Sequence, residues 1–294
     1  MNKKLTGTIY ILIAASLWGS MGIFSRYLNA AGFGAFEVTQ VRVTVGFIIV
    51  GTYLLIFNRS MLKIKPKDLW CFLGTGIVSL LFFCICYFKS MEYVSIATAG
   101  VLLYTAPTFV MLMSLVLFKE KLTANKIIAL IMSFIGCALV SGIGGEAASL
   151  TGILLALASG FFYALYSIFG RYAIMRGYSS WTIVFYTFMF SSAGCAFLCD
   201  WNKIGSVAFS SAKNGLLCIG LGLITGFLAY IFYSMGLERI ESSKASILAS
   251  LEPVVGTALA MLFFAEFPTV YGVIGIILVL GAIVALSISP KKKN

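Results

Sequence analysis

Long apolar runs follow one another along the chain with only short polar joints between them. A helix rises about 1.5 Å per residue, so roughly 20 apolar residues cross the roughly 30 Å hydrocarbon core of a bilayer. Ten such runs are predicted: Leu5–Leu28, Phe36–Phe57, Leu69–Met91, Ser95–Phe118, Asn125–Gly142, Leu150–Tyr172, Ser180–Cys199, Gly215–Leu237, Ser243–Phe264 and Val270–Ile288. The joints carry turn chemistry or charge, as in Lys65-Pro66-Lys67-Asp68, Gly142-Ile143-Gly144-Gly145 and Glu266-Phe267-Pro268-Thr269. No linker is long enough to hold a soluble domain. The first run is too long for the apolar region of a cleaved signal peptide. It also has a near-copy later in the chain, so it is expected to belong to the fold.

Composition agrees. Of 294 residues, 61% are apolar and 11% charged, against about 45–50% and about 25% in an ordinary soluble domain. Such a chain cannot coat a water-soluble globule, which excludes a soluble enzyme, a disordered tail and a secreted disulfide scaffold. The net charge of +11 is explained by where the charges fall. With both termini in the cytoplasm, the inside segments hold 16 of the 21 basic residues, the Lys291–Lys293 tail among them. The outer side and outer helix ends keep five: Arg26, Arg42, Lys89, Lys203 and Lys213. That is the positive-inside pattern, and it needs no nucleic acid. The absence of histidine removes imidazole catalysis, metal ligation and proton relay. The seven cysteines show no CxxC spacing and are expected to be small apolar packers, with Cys195 and Cys199 the one pair placed for redox chemistry.

The two halves repeat. Ile23-Phe24-Ser25-Arg26-Tyr27 matches Ile168-Phe169-Gly170-Arg171-Tyr172 at an offset of 145. Gly7 matches Gly152 at the same offset. Phe118-Lys119-Glu120-Lys121-Leu122-Thr123 matches Phe264-Ala265-Glu266-Phe267-Pro268-Thr269 at 146, as Pro107 matches Pro253, and Ser90-Met91 matches Ser234-Met235 at 144. The units are 1–145 and 146–294, each with five spans. Five is odd, so the second unit is expected upside down, with Arg26 outside and Arg171 inside. Inverted repeats around a midplane site characterise secondary transporters.

On these residues the chain resembles the EamA-like branch of the drug/metabolite transporter superfamily. Leu17-Trp18-Gly19, Arg42, the block Thr105-Ala106-Pro107 to Glu120-Lys121-Leu122-Thr123, and its copy Leu251-Glu252-Pro253 to Glu266-Phe267-Pro268-Thr269 carry the likeness. It implies an all-α integral membrane fold of ten helices, a central cavity built from spans 1–4 and 6–9, and peripheral spans 5 and 10. It does not select among amino acids, sugars, nucleosides and drugs.

Glu252 is the sharpest candidate. It sits nine residues into span 9, about 13 Å deep, with no other charge in that run. An unpaired carboxylate there costs several kcal/mol, so it is protonated, paired or facing water. Proton coupling or binding of a cationic group is one reading; a structural ion pair with Arg42 is the other. Arg42 lies about 9 Å deep from the outer side and has the fork to clamp a carboxylate. Together the two charges suit a zwitterion, hence an amino acid-like solute. Trp18 and Tyr163 break small-residue faces of spans 1 and 6, and either pack or project into the cavity. Tyr87, Tyr104, Tyr166, Tyr186, Tyr230, Tyr233, Gln40 and Ser250 are further lining candidates. Glu120 and Glu266 are expected to serve the helix starts capped by Thr123 and Thr269. Pro107 and Pro253 are expected to weaken their helices. Lys89 and Glu92 form a solvated pair.

The expected function is a secondary transporter, an exporter of a small metabolite working by exchange or proton coupling. Drugs, cationic metabolites, nucleosides and sugars are alternative cargoes. No Walker motif is present, so ATP is not the direct driver, and no cofactor or metal is called for. An intramembrane enzyme, a passive channel and a sensor or partner subunit are the rival classes. The expected partners are the lipid bilayer, the solute and protons, for a monomer or homodimer in a plasma or inner membrane.

Overall fold

The structure, a computed structural model, describes residues 3–142 and 149–287. Gly144, Gly145, the boundary between the two repeat units, Ile288 and the Lys291–Lys293 tail lie outside them. Helices occupy all ten predicted runs, and the described residues contain no strand. They are α1 Lys3–Ala30, α2 Ala35–Phe57, α3 Pro66–Ser90, α4 Ile96–Leu117, α5 Ala124–Ser141, α6 Leu150–Met175, α7 Ser180–Cys195, α8 Ala212–Leu237, α9 Ser242–Phe264 and α10 Val270–Ser287. Eight are long and apolar enough to cross a membrane, with α10 a shorter apolar helix beside them. The protein is an all-α, multi-pass membrane protein.

The seventh span is shorter than predicted. The chain turns after Cys195, where Leu198 N–H donates to the Cys195 carbonyl and the Trp201 indole donates to the Ala196 carbonyl at 3.0 Å. Asp200 then caps a short helix, Trp201–Ala208, by accepting from the amides of Asn202 and Lys203. An acceptor side chain at this position satisfies amides that the helix start leaves orphaned. Among the described residues every cysteine is free, and Cys195 and Cys199 bond to different carbonyls, those of Phe36 and Ala196.

Packing exchanges the two halves. α1 lies against α8 and α9, and α6 lies against α3 and α4. α2 lies against α7 and α8, and α7 against α2 and α3. The correspondence extends to single residues. A Cβ on Gly7 would meet Arg239 and Ile240, and a Cβ on Gly152 would meet Tyr93 and Val94, the residues 146 positions earlier. Gly74 lies under the Phe169 ring and Gly220 under that of Phe24. Small residues let helices approach this closely in a membrane, where packing rather than the hydrophobic effect holds them together. α5 and α10 pair with each other through backbone contact: a Cβ on Gly136 would lie 2.8 Å from the Gly275 carbonyl oxygen.

Five helices are irregular, four of them at positions that correspond. α3 turns π-helical over Gly74–Leu81 and α8 over Leu221–Leu228. α4 breaks at Tyr104–Thr105 before Pro107, and α9 breaks at Ala249–Ser250 before Pro253. Both prolines sit in the first turn of the second half-helix, where the missing N–H is not needed. α1 breaks at Ser20, whose hydroxyl donates back to the Leu17 carbonyl at 2.7 Å. Irregular backbone at membrane depth is tolerated where protein or a cavity covers it, and these breaks surround a cavity.

Because the helices alternate in direction, the loops fall at two ends. One carries Arg26, Glu92, Asp200 and Glu266, and is called here the Arg26 end. The other carries Asp68, Glu120, Arg176, Glu238 and Glu241, and is called the Arg171 end.

Candidate functional site

A cavity of about 540 Å³ lies between α1, α2, α3, α4 and α9, with one residue each from α6 and α8. None of the lining residues comes from α5, α7 or α10. The cavity reaches the Arg26 end at Asn29, Ala35, Met91 and Ile96. Its floor is aromatic. Trp18 stands 5.2 Å from the Tyr230 ring, 5.1 Å from Tyr233 and 6.4 Å from Tyr163. These are edge or tilted contacts, each worth about 0.5–1.5 kcal/mol beyond the area buried.

Beneath the floor two buried hydrogen bonds join α6 to α8. The Tyr166 and Ser234 hydroxyls are 2.8 Å apart, and the Ser167 and Tyr233 hydroxyls 2.7 Å. A buried hydroxyl left without a partner costs about 1–3 kcal/mol, so these bonds make the seal specific as well as dry. The cavity therefore opens toward the Arg26 end and is shut toward the Arg171 end.

Glu252 is placed by the break in α9. It occupies the first turn of the half-helix Leu251–Phe264, where the unsatisfied amides carry partial positive charge and favour a carboxylate. The side chain lines the cavity. Its carboxylate has no protein hydrogen-bond partner and no ion-pair partner among the described residues. Arg42 lines the same cavity from α2. One of its amino groups contacts the Met21 sulfur at 3.1 Å, and its Nε, buried, has no hydrogen-bond partner among the described residues. The ion pairs of the described residues do not join Arg42 to Glu252. The two charges thus face one space without neutralising each other through direct contact. Each keeps bonding capacity that a solute or water has to fill.

Trp18, Tyr163, Tyr230, Tyr87, Tyr104 and Ser250 all lie on the cavity wall. Gln40 does not. It is buried against α7, its amide nitrogen donating to Thr44 at 2.8 Å and to Ser192 at 3.2 Å. Gln40 is two residues from Arg42, and residues two apart on a helix face different ways. Tyr186 also faces away, its hydroxyl donating to the Leu62 carbonyl at 2.6 Å. Thr39, three residues before Arg42, takes the place expected of Gln40: it lines the cavity, with its hydroxyl buried beside the Cys84 thiol. The signal was present in the sequence as a polar residue one turn from the arginine. Phe83, Phe88 and Met91 also line the wall. In an apolar span such residues carry no mark that separates lining from packing.

The helix-end glutamates differ from expectation. Thr123 and Thr269 do cap their helices, accepting from Lys126 N–H at 3.4 Å and Gly272 N–H at 3.2 Å. Glu120 and Glu266 serve neither of those starts. Glu120 crosses to α9, accepting from the amides of Ser242 at 2.8 Å and Ser243 at 3.2 Å and from the Ser243 hydroxyl. Glu266 pairs with Arg26 at 2.5 Å. The reason lies one residue earlier. Lys119 and Ala265 both adopt the left-handed conformation, with φ of 53° and 54°, which turns the next side chain out of its own helix line. Lys89 and Glu92 form the expected exposed pair, at 2.9 Å.

Comparison with known proteins agrees with this architecture. Residues 5–142 and again 150–288 match the EamA-like transporter family. The chain is 28% identical over 284 residues to the uncharacterized transporter YxxF of Bacillus subtilis, covering 95% of this chain and 88% of that one. It is 24% identical over 299 residues to the uncharacterized inner membrane transporter YicL of Salmonella typhimurium, covering 100% and 99%. A solved crystal structure superposes with a TM-score of 0.80 at 20% identity, over 96% of each chain. The chain belongs to the EamA-like transporter family and is a membrane transporter.

Proposed function

We propose that the protein is a secondary transporter that carries a small amino acid-like solute across a plasma or inner membrane by alternating access. It runs as an exporter, driven by substrate exchange or by protons through Glu252. The observation that carries this reading is the pair Glu252 and Arg42, which share one cavity without touching. A solute ammonium pairs with Glu252 and a solute carboxylate with Arg42, each by charge-assisted hydrogen bonds. Trp18, Tyr163, Tyr230, Tyr87 and Tyr104 enclose the apolar body.

The positive-inside pattern supports cytoplasmic termini and sets the Arg171 end in the cytoplasm. The cavity then faces outward. The reciprocal packing supports two units, 1–145 and 146–294, inverted with respect to each other. An aromatic wall around one acid also fits a hydrophobic cation, and this second reading is tested alongside the first.

The test is counterflow in proteoliposomes with three probes: an amino acid, the amine lacking its carboxylate, and the acid lacking its amine. The first reading expects the amino acid to be carried in preference to both. Glu252→Gln should cut its apparent affinity roughly tenfold or more, the worth of a charge-assisted bond, and flatten the pH profile of transport. Equal flux of the amine establishes the hydrophobic-cation reading. An unchanged pH profile in Glu252→Gln sinks the coupling role.

A further inference from the structure

The two ends of the bundle carry the same three charged side chains in equivalent positions, engaged in different ways. At the Arg171 end they hold backbone. Arg171 donates to the carbonyls of Leu237 at 2.5 Å and Ile240 at 3.3 Å, where α8 ends. Glu120 accepts the amides of Ser242 and Ser243, where α9 begins. Glu238 accepts the amide of Ser180 at 3.0 Å, where α7 begins. A cation on a helix C-terminus and anions on helix N-termini are the favourable pairings for both orphaned backbone groups and helix dipoles. The α8–α9 turn is thus clamped from both sides.

The counterparts at the Arg26 end are Arg26, Glu266 and Glu92, at offsets of 145, 146 and 146. None of them holds a helix end. Arg26 and Glu266 bind each other, with side chains 53% and 54% exposed. Glu92 binds Lys89. The equivalent backbone groups are the amides of Ile96 and Ala97 at the start of α4, that of Ala35 at the start of α2, and the carbonyls at the end of α3. Lys119 and Ala265 share one left-handed conformation, which non-glycine residues adopt at a cost. Both glutamates are therefore presented alike; only their partners differ.

We infer that these six residues form one clamp with two settings, closed at the Arg171 end in the structure described. Closing the Arg26 end moves Glu266 to the Ile96 and Ala97 amides, Glu92 to the Ala35 amide and Arg26 to the α3 carbonyls. The same change releases Glu120, Glu238 and Arg171 into side-chain pairs. Lys126, buried against Glu120 at 3.6 Å and Glu241 at 2.6 Å, reinforces the first setting alone. Its counterpart at the other end is Gly272. That asymmetry favours the outward-open setting at rest. The inference rests on the alternating-access reading above.

Hydrogen exchange of the full chain in lipid nanodiscs, read by mass spectrometry, tests it without a solute. Exchange over residues 240–246 proceeds through the setting in which the Arg171 end is open. Glu266→Gln removes the charge that stabilises that setting, so it should slow exchange over 240–246 about tenfold, the scale of one charge-assisted bond. The substitution is at the opposite end of the bundle, and a merely local role would not reach that far. Glu120→Gln should speed exchange over the same residues. Should Glu120→Gln fail to fold, Glu266→Gln decides alone, its side chain being half in water. Unchanged or faster exchange over 240–246 in Glu266→Gln overturns the clamp. Coupled exchange in a protein that carries none of the three probes upholds the clamp while removing the amino acid-like solute reading. Flux without coupled exchange removes the clamp and leaves that reading standing.

Discussion

The Arg171 end and the Arg26 end are built from equivalent residues, yet one is shut and dry and the other is open and wet. At the shut end, charge is buried and bonded to main chain: the Lys126 and Glu120 side chains are 7% and 6% exposed. At the open end the counterpart charges Arg26, Glu266 and Glu92 are half in water and bonded to other side chains. Buried charge is stable only when each group is paired and hydrogen-bonded, whereas an exposed pair is worth about 0–1 kcal/mol. The open end is therefore inexpensive to rearrange and the shut end is not. What stays constant is equally informative. Gly7 against Arg239 and Ile240, and Gly152 against Tyr93 and Val94, are the same at both ends, so α1 with α8 and α6 with α3 behave as fixed pairs.

Three substitutions sharpen or break this contrast. The largest effect is expected at the floor between the ends. Trp18→Ala removes an indole packed on three tyrosine rings and should cost about 3–5 kcal/mol in a stability measurement. Solute affinity should fall roughly tenfold or more in the same variant. Unaltered affinity would return Trp18 to a packing role. Next, Lys126→Met takes the buried cation away from Glu120 at the shut end and should cost about 3 kcal/mol, read as a lower denaturation midpoint in detergent. The smallest is Lys89→Ala at the open end, where the partners are 54% and 55% exposed; it should change stability by less than about 0.5 kcal/mol. Were Lys89→Ala to match Lys126→Met, the contrast between the two ends would be lost.

Much of the fold was legible because a bilayer imposes a length and a polarity on each crossing. The ten runs, the Thr123 and Thr269 caps, the duplication and the likeness to the EamA-like family all follow from one-dimensional pattern. The irregular backbone was not legible. The π-helical turns of α3 and α8 lie inside unbroken apolar runs, and Lys119 and Ala265 are not residues that announce a left-handed turn. The destination of Glu120 was misread for that reason: proximity in sequence pointed to Thr123, while the backbone directs the side chain to α9. Of the candidate residues, those marked by charge or by the repeat, Glu252, Arg42, Trp18 and Tyr163, lie on one cavity wall. Gln40 was chosen by polarity alone and faces α7. Partnering across helices, as between Tyr166 and Ser234, depends on three-dimensional register that no single run contains.

The contact between α5 and α10 has a mechanical consequence. There the two carbonyl oxygens lie where any side chain would intrude: a Cβ on Gly275 would stand 2.6 Å from the Gly136 oxygen. Widening such a seam forfeits the close backbone packing that holds two helices together in lipid. Should the α1–α8 pair swing against the α6–α3 pair, this edge serves as the pivot, and displacement grows with distance from it. A swing of few degrees there becomes a large excursion at the rim around Asn29, as at the free side of a door.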